Sequence, residues 1–188
     1  LGRGMFDHNP FSLGIAGGFL RAIARGKFPE ADFVISFGAS PTYYTLDGDA
    51  LCPQAEMVQV DLNPIGLRHG NQAADIYMMS DAKLTAIELT KQIKAKGKTA
   101  ASVRSPELAK RIKDEPADAT PYTVAPGELD PRKFFEEMEG VLPKDYDVVS
   151  GSGHHSYFHT VMRGGDPTKY HAMRDFGAIG NSISYAIG

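Results

Sequence analysis

The residues best suited to chemistry lie near the carboxyl end of the chain. Ser150-Gly151-Ser152-Gly153-His154-His155 closes a β-rich run and opens a helix-like one. Glycines at 151 and 153 let backbone approach a ligand, and unpaired N–H groups where a strand turns into a helix attract anions. Ser152, His154 and His155 add side-chain donors. The same spacing also fits a tight turn that holds nothing. A second glycine turn, Phe176-Gly177-Ala178-Ile179-Gly180, opens another helix at Asn181.

Other candidates are weaker. Asp61 ends a β-rich run, where nucleotide-binding α/β folds place an acid on a ribose hydroxyl. It equally suits a turn residue ahead of Asn63-Pro64. His154, His155, His159 and His171 form the densest polar cluster. His155 and His159 share a helix face at i, i+4, as metal-binding pairs do, yet no Asp or Glu stands within that turn. Solvated or anion-facing histidines are therefore expected there, and no metal site. Neither a Walker sequence nor GxGxxG is present, and Gly14-Ile15-Ala16-Gly17-Gly18 lacks the dinucleotide spacing. Cys52 beside Pro53 has no local histidine to activate it as a nucleophile.

The elements that must position these residues alternate between strand and helix. Phe33–Phe37 and Met57–Asp61 are β-rich runs closed by Gly38 and Asn63-Pro64. Phe19, Leu20, Ile23 and Ala24 recur at helical spacing over 17–25, with Gly26 as the stop. A further helix starts near Ser80 or Asp81 and carries Ala82, Ala86, Leu89 and Ile93 on one side. Ser105-Pro106-Glu107 and Asp130-Pro131 each read as an N-cap followed by an N1 proline. The helix after Asp130 is expected to bury Phe134, Phe135, Met138 and Leu142 and to end at Gly140. Tyr146–Ser150 is then a strand, and His154–Arg163 a helical segment. This alternation predicts an α/β fold: a parallel-sheet, Rossmann-like domain over 1–93, a lysine- and proline-marked linker over 94–127, and the opening of a second α/β domain over 128–188.

Composition narrows the function classes. The 188 residues carry a formal charge of −3 and 42% apolar residues. That balance argues against a polybasic nucleic-acid binder. One cysteine leaves no internal disulfide framework and no multi-cysteine metal site. No apolar run approaches the ~18 residues of a membrane span. A cytoplasmic protein without membrane or nucleic-acid partners is the expectation. The start at Leu1 and the stop inside a helical pattern at Gly188 suggest part of a longer protein.

Taken in order, these segments resemble the thiamine diphosphate-dependent enzymes of the acetolactate synthase and benzoylformate decarboxylase type. Gly2-Arg3-Gly4, Asp7-His8-Asn9-Pro10 and Leu13-Gly14 resemble the family's "GxG…HP…G" entry to its middle domain. Ala31–Ala39 resembles "ADLVLxxGA", Val58–Pro64 "xxHIDxDP", and Ser80-Asp81-Ala82 "GDA". Val148–His155 is similar to "VVTDVGQH", and Gly177–Gly188 to "GTMGxxLPAAIG". The series covers nearly the whole chain in register, apart from the linker.

The resemblance implies most of a middle domain followed by the start of the diphosphate-binding domain. It implies a 2-keto acid carboligase or decarboxylase, acetolactate synthase-like, working as a homodimer or homotetramer. Alternatives are a benzoylformate-type decarboxylase, a 2-hydroxyacyl-CoA lyase or, in another class, a non-catalytic nucleotide-binding module. It places Ser152, Gly153, His154 and His155 along the diphosphate of thiamine diphosphate. The Gly177 carbonyl and the Ile179 backbone would face the aminopyrimidine, with the Ile179 side chain wedged between the cofactor's two rings. His8 would be a proton-transfer residue or a plain loop histidine. Mg²⁺ would be held by a "GDG…N" motif about 15–20 residues past Gly188, where the next strand would follow. Asp61 and Asp81 stand where FAD- or ADP-binding relatives contact the nucleotide. Ser40-Pro41-Thr42-Tyr43 replaces the flavin-contacting "RFDDR", so an empty site is expected rather than bound FAD.

Overall fold

Val, Ile, Phe and Met dominate two segments near residues 33 and 57, and β-branched and aromatic side chains favour the extended chain. In the computed structural model, Phe33–Phe37 forms β1 and Glu56–Asp61 forms β2. The structure describes residues 3–48, 50–63, 67–68, 71–72, 74–99, 102–160, 162 and 165–188. The chain divides into two compact units, one of residues 16–18 and 25–105, the other of residues 1–15, 19–24 and 106–188. The fold is α/β, with a three-stranded parallel sheet in the first unit and a two-stranded parallel sheet in the second.

The three-stranded sheet runs β1-β2-β5, where β5 is Ile76–Met79; β3 (Leu67–Arg68) and β4 (Asn71–Gln72) form a short antiparallel pair. Central β2 buries Met57 through Val60, as a parallel strand flanked on both edges should. Phe33 pairs with Glu56 and Phe37 with Val60; Val58 pairs with Ile76 and Asp61 with Met79. The carboxyl ends of the strands therefore lie side by side. There the Gly38 N–H donates to the Val60 carbonyl and the Ser80 N–H to the Asp61 carbonyl, at 2.8 and 3.1 Å. Helix α2 (Ala82–Ala95) packs on β1 and β2 and starts at Asp81, as its spacing predicts.

Between β1 and β2 the described residues form turns instead of a crossover helix. Leu46 N–H donates to the Thr42 carbonyl and Leu51 N–H to the Leu46 carbonyl, and Leu51 is buried. Arg25 binds the Asp47 carboxylate at 3.1 Å, and Asp47 has a left-handed φ of 52°. The helix expected over 17–25 is shorter and later: α1 spans Ala22–Lys27 and runs through Gly26. Gly17 explains the delay. It has φ 95°, and a Cβ there would collide with the Tyr44 carbonyl.

In the other unit, α3 (Pro106–Asp114) and α4 (Pro131–Val141) begin at the two N1 prolines. Asp130 caps α4 by accepting from the Arg132 N–H at 2.9 Å. Gly140 does not end α4, which continues to Val141; Leu142 turns extended before Pro143, as the residue preceding a proline must. The expected buried stripe is also only partial. Phe135, Met138 and Leu142 are half-buried and Phe134 is exposed.

Strand β6 (Val148–Ser150) pairs in parallel with β7 (Tyr170–Ala172), and α5 (His154–Thr160) and α6 (Asn181–Ile187) follow them. Helix α4 packs on α5, and α6 on β6. Rings join these elements: Phe135 contacts Phe158 and His159, and His159 stacks on Tyr170 at 5.3 Å and 9°. Among the described residues, no helix is long and apolar enough to cross a membrane.

Candidate functional site

The turn after β6 is shaped by what its glycines touch. Gly151 is buried; a Cβ there would meet Asn181 Oδ1 at 3.1 Å and Ser182 Oγ at 3.2 Å. The start of α6 therefore seats directly on this turn. Gly153 has φ 142° and lies under the His155 ring, 2.9 Å from Nδ1 to where its Cβ would be. The Gly153 carbonyl accepts from both the Ser156 N–H and Oγ, at 3.1 and 2.7 Å. Buried Ser156 thereby ties the turn to the first turn of α5. Ser152 is half-buried, while His154 and His155 are exposed. Helix α5 has only 7 residues, so its dipole adds little to the turn.

The second glycine turn ends against the first. Met173 N–H donates to the Ser150 carbonyl at 2.7 Å, continuing the β6–β7 pairing. A turn closed by the Gly177 N–H on the Arg174 carbonyl, with left-handed backbone at Phe176, then leads through Ile179 and Gly180 into α6. Gly177 (φ 67°) and Gly180 (φ 88°) are left-handed, and space around Gly177 is open. Ile179 is 83% exposed. Buried Asn181 Oδ1 accepts no hydrogen bond among the described residues. An orphaned carbonyl oxygen at the meeting of two glycine turns is an acceptor that a ligand's N–H or O–H could satisfy.

Beside His154 opens a cleft of about 500 Å³, walled by Tyr122, Tyr157, Phe158 and Arg132. The Arg132 guanidinium is saturated: it binds Asp130 at 2.8 Å, approaches Asp118 at 3.4 Å and donates to the Thr120 carbonyl at 2.6 Å. It also lies over the Tyr122 ring. Hydrogen bonds from Thr120 hold the Asp118 carboxyl below its ordinary range, and those from Arg132 do the same for Asp130. This network fastens the segment ahead of α4 and leaves the Arg132 cation already paired with two carboxylates.

The four histidines have separate environments. His159 is a core residue rather than a solvated one. Burial, followed by the charges of Arg3, His155 and Arg174, pushes its pKa down to about 4. Arg3 donates to the Met162 carbonyl at 2.8 Å and lies over the Tyr170 ring. His171 contacts the Asp147 carboxylate at 3.3 Å. Among the described residues no three His, Cys, Asp or Glu side chains are grouped to hold a metal ion. Burial raises the Cys52 thiol pKa, which disfavours a thiolate there.

His8 lies with Asp7, Asn9 and Pro10 against α3, in a cleft completed by Lys110, Lys113 and Asp114. Neither glycine turn lines that cleft. In the three-stranded unit, Asp61 Oδ1 accepts from the Asn63 N–H and Asp81 Oδ1 from the Leu84 N–H, at 2.9 and 2.8 Å. Both acids thus sit on the carboxyl edge of the sheet, each closing a local turn or cap. Ser156 and Asn181 were not legible as site residues. A serine three positions after Gly153 was the only available signal for the first.

No protein-family model matches this chain, and a search of the curated proteins finds no significant similarity.

Proposed function

We propose that this chain supplies the diphosphate- and pyrimidine-facing turns of a thiamine diphosphate-dependent enzyme acting on 2-keto acids, acetolactate synthase-like in type. One observation supports this most directly: Gly151 of the first glycine turn is seated against Asn181 and Ser182, which follow the second. A cofactor with a diphosphate at one end and a ring at the other needs two such turns at one place. The residues present fit it. Glycine at 151 and 153 lets the turn pack closely against the start of α6 and the His155 ring, and the orphaned Asn181 Oδ1 would accept from a donor such as the aminopyrimidine amino group.

In this reading Ser152, His154 and His155, with the backbone N–H groups of the turn, hold the diphosphate. The Gly177 carbonyl and the Ile179 backbone orient the aminopyrimidine. The exposed Ile179 side chain would pack against the cofactor as an apolar contact that does not compete for protons. When bound, the cofactor supplies the electron sink for cleaving or forming the bond next to the keto carbon. A benzoylformate-type decarboxylase or 2-hydroxyacyl-CoA lyase would use the same turns.

A non-catalytic nucleotide-binding module is the second reading. Asp61 and Asp81 on one sheet edge favour it. Calorimetry with thiamine diphosphate and Mg²⁺ on the full-length protein tests the first. Saturable binding that weakens in Ser152→Ala and His154→Ala is the expected result; no binding to the wild-type protein would sink the proposal.

A further inference from the structure

Among the described residues, positive φ angles belong to ten glycines and to two other residues, Asp47 and Phe176. Aspartate tolerates the left-handed region, and the Asp47 carboxylate binds Arg25 in that conformation. Phe176 has neither excuse. It sits at φ 55°, ψ 12°, where a bulky side chain is strained, and its ring is fully exposed. Among the described residues no packing offsets the strain. The next residue is Gly177, so the turn uses glycine at its other left-handed positions but not at 176.

We infer that Phe176 is a ligand-contacting residue: its ring forms an apolar wall of the site over the Gly177 turn, and the strained backbone persists because it aims the ring there. The inference rests on the thiamine diphosphate reading above. With exposed Ile179 close by in sequence, the ring gives the turn an apolar surface suited to a flat or branched group. That group is either a ring of the cofactor or the side chain of the 2-keto acid.

The test uses Phe176→Gly, Phe176→Ala and Phe176→Leu in the full-length protein. Glycine relieves the strain and should raise the melting temperature by about 2 °C, whereas alanine should not. Loss of the ring should weaken binding about tenfold, with leucine restoring part of it. If the ring touches the cofactor, calorimetric affinity for thiamine diphosphate with Mg²⁺ falls. If it touches substrate, that affinity holds, and KM rises for benzoylformate but not for pyruvate. Unchanged affinity and unchanged KM values would overturn the inference, as would a glycine variant less stable than wild type. Failure of the wild-type protein to bind cofactor would instead remove the reading beneath it.

Discussion

Gly153 and His155 occupy each other's space: a Cβ on Gly153 would lie 2.9 Å from His155 Nδ1 and 3.0 Å from its Cε1. The imidazole folds back over the turn only because position 153 has no side chain. Its φ of 142° demands glycine independently. The placement of a candidate phosphate-facing histidine is therefore set two residues before it.

Gly153→Ala should both strain the turn and expel the ring. A loss of about 1–2 kcal/mol in urea unfolding is expected. His155→Ala alone should stay within about 0.5 kcal/mol, as an exposed substitution does. The informative variant is the double one. Removing the ring should return part of the stability lost in Gly153→Ala, so the two changes are non-additive. Strict additivity would show that the ring does not constrain the turn.

Locally encoded features were the most legible in the sequence. Strands β1 and β2, the Asp81 and Asp130 caps and the N1 prolines at 106 and 131 depend on neighbours within a few residues. Strand β5 is not legible because Ile76-Tyr77-Met78-Met79 is a run of only four apolar residues without alternation, too short to tell strand from helix, and it forms by pairing with β2. Strand β7 has only 3 residues and exists through pairing with β6, whose Val148 is opposite Tyr170. His159 is written in the same letters as its exposed neighbours, and the rings of Phe135 and Tyr170, distant in sequence, make it a core residue. The seating of Gly151 on Asn181 joins turns far apart in sequence, so spacing could suggest each turn but not their meeting.

His159 makes stability depend on pH. Its pKa falls from an ordinary 6.5 to about 4 on folding, chiefly because burial disfavours the charged ring. Between those values the unfolded chain binds more protons than the folded one. Stability from this group is therefore complete above about pH 6.5 and is lost as the pH falls toward 4. After discounting for solvent screening, about 2 kcal/mol should disappear across that window. Urea unfolding of wild type and His159→Gln at pH 7 and pH 5 measures it. The Gln variant should show the smaller decline; parallel declines would place the titration elsewhere.

Asp81 separates a structural role from a binding one. Its Oδ1 accepts the Leu84 N–H at 2.8 Å, satisfying an otherwise unpaired donor at the start of α2. Asn caps a helix as well as Asp does, whereas Ala does not. Asp81→Ala should therefore cost about 1 kcal/mol, and Asp81→Asn much less. A nucleotide site would respond differently, because Asn keeps the capping oxygen but loses the charge and the second acceptor oxygen that a ribose hydroxyl would use. Asp61 is engaged as well, through the Asn63 N–H at 2.9 Å. With the flavin-contacting sequence replaced by Ser40-Pro41-Thr42-Tyr43, addition of ADP or FAD should leave the melting temperature of wild type unchanged. A ligand-dependent rise, which mass action would produce on binding the folded state, that vanishes in Asp61→Asn and Asp81→Asn would show that these carboxylates bind a nucleotide in addition to their local partners.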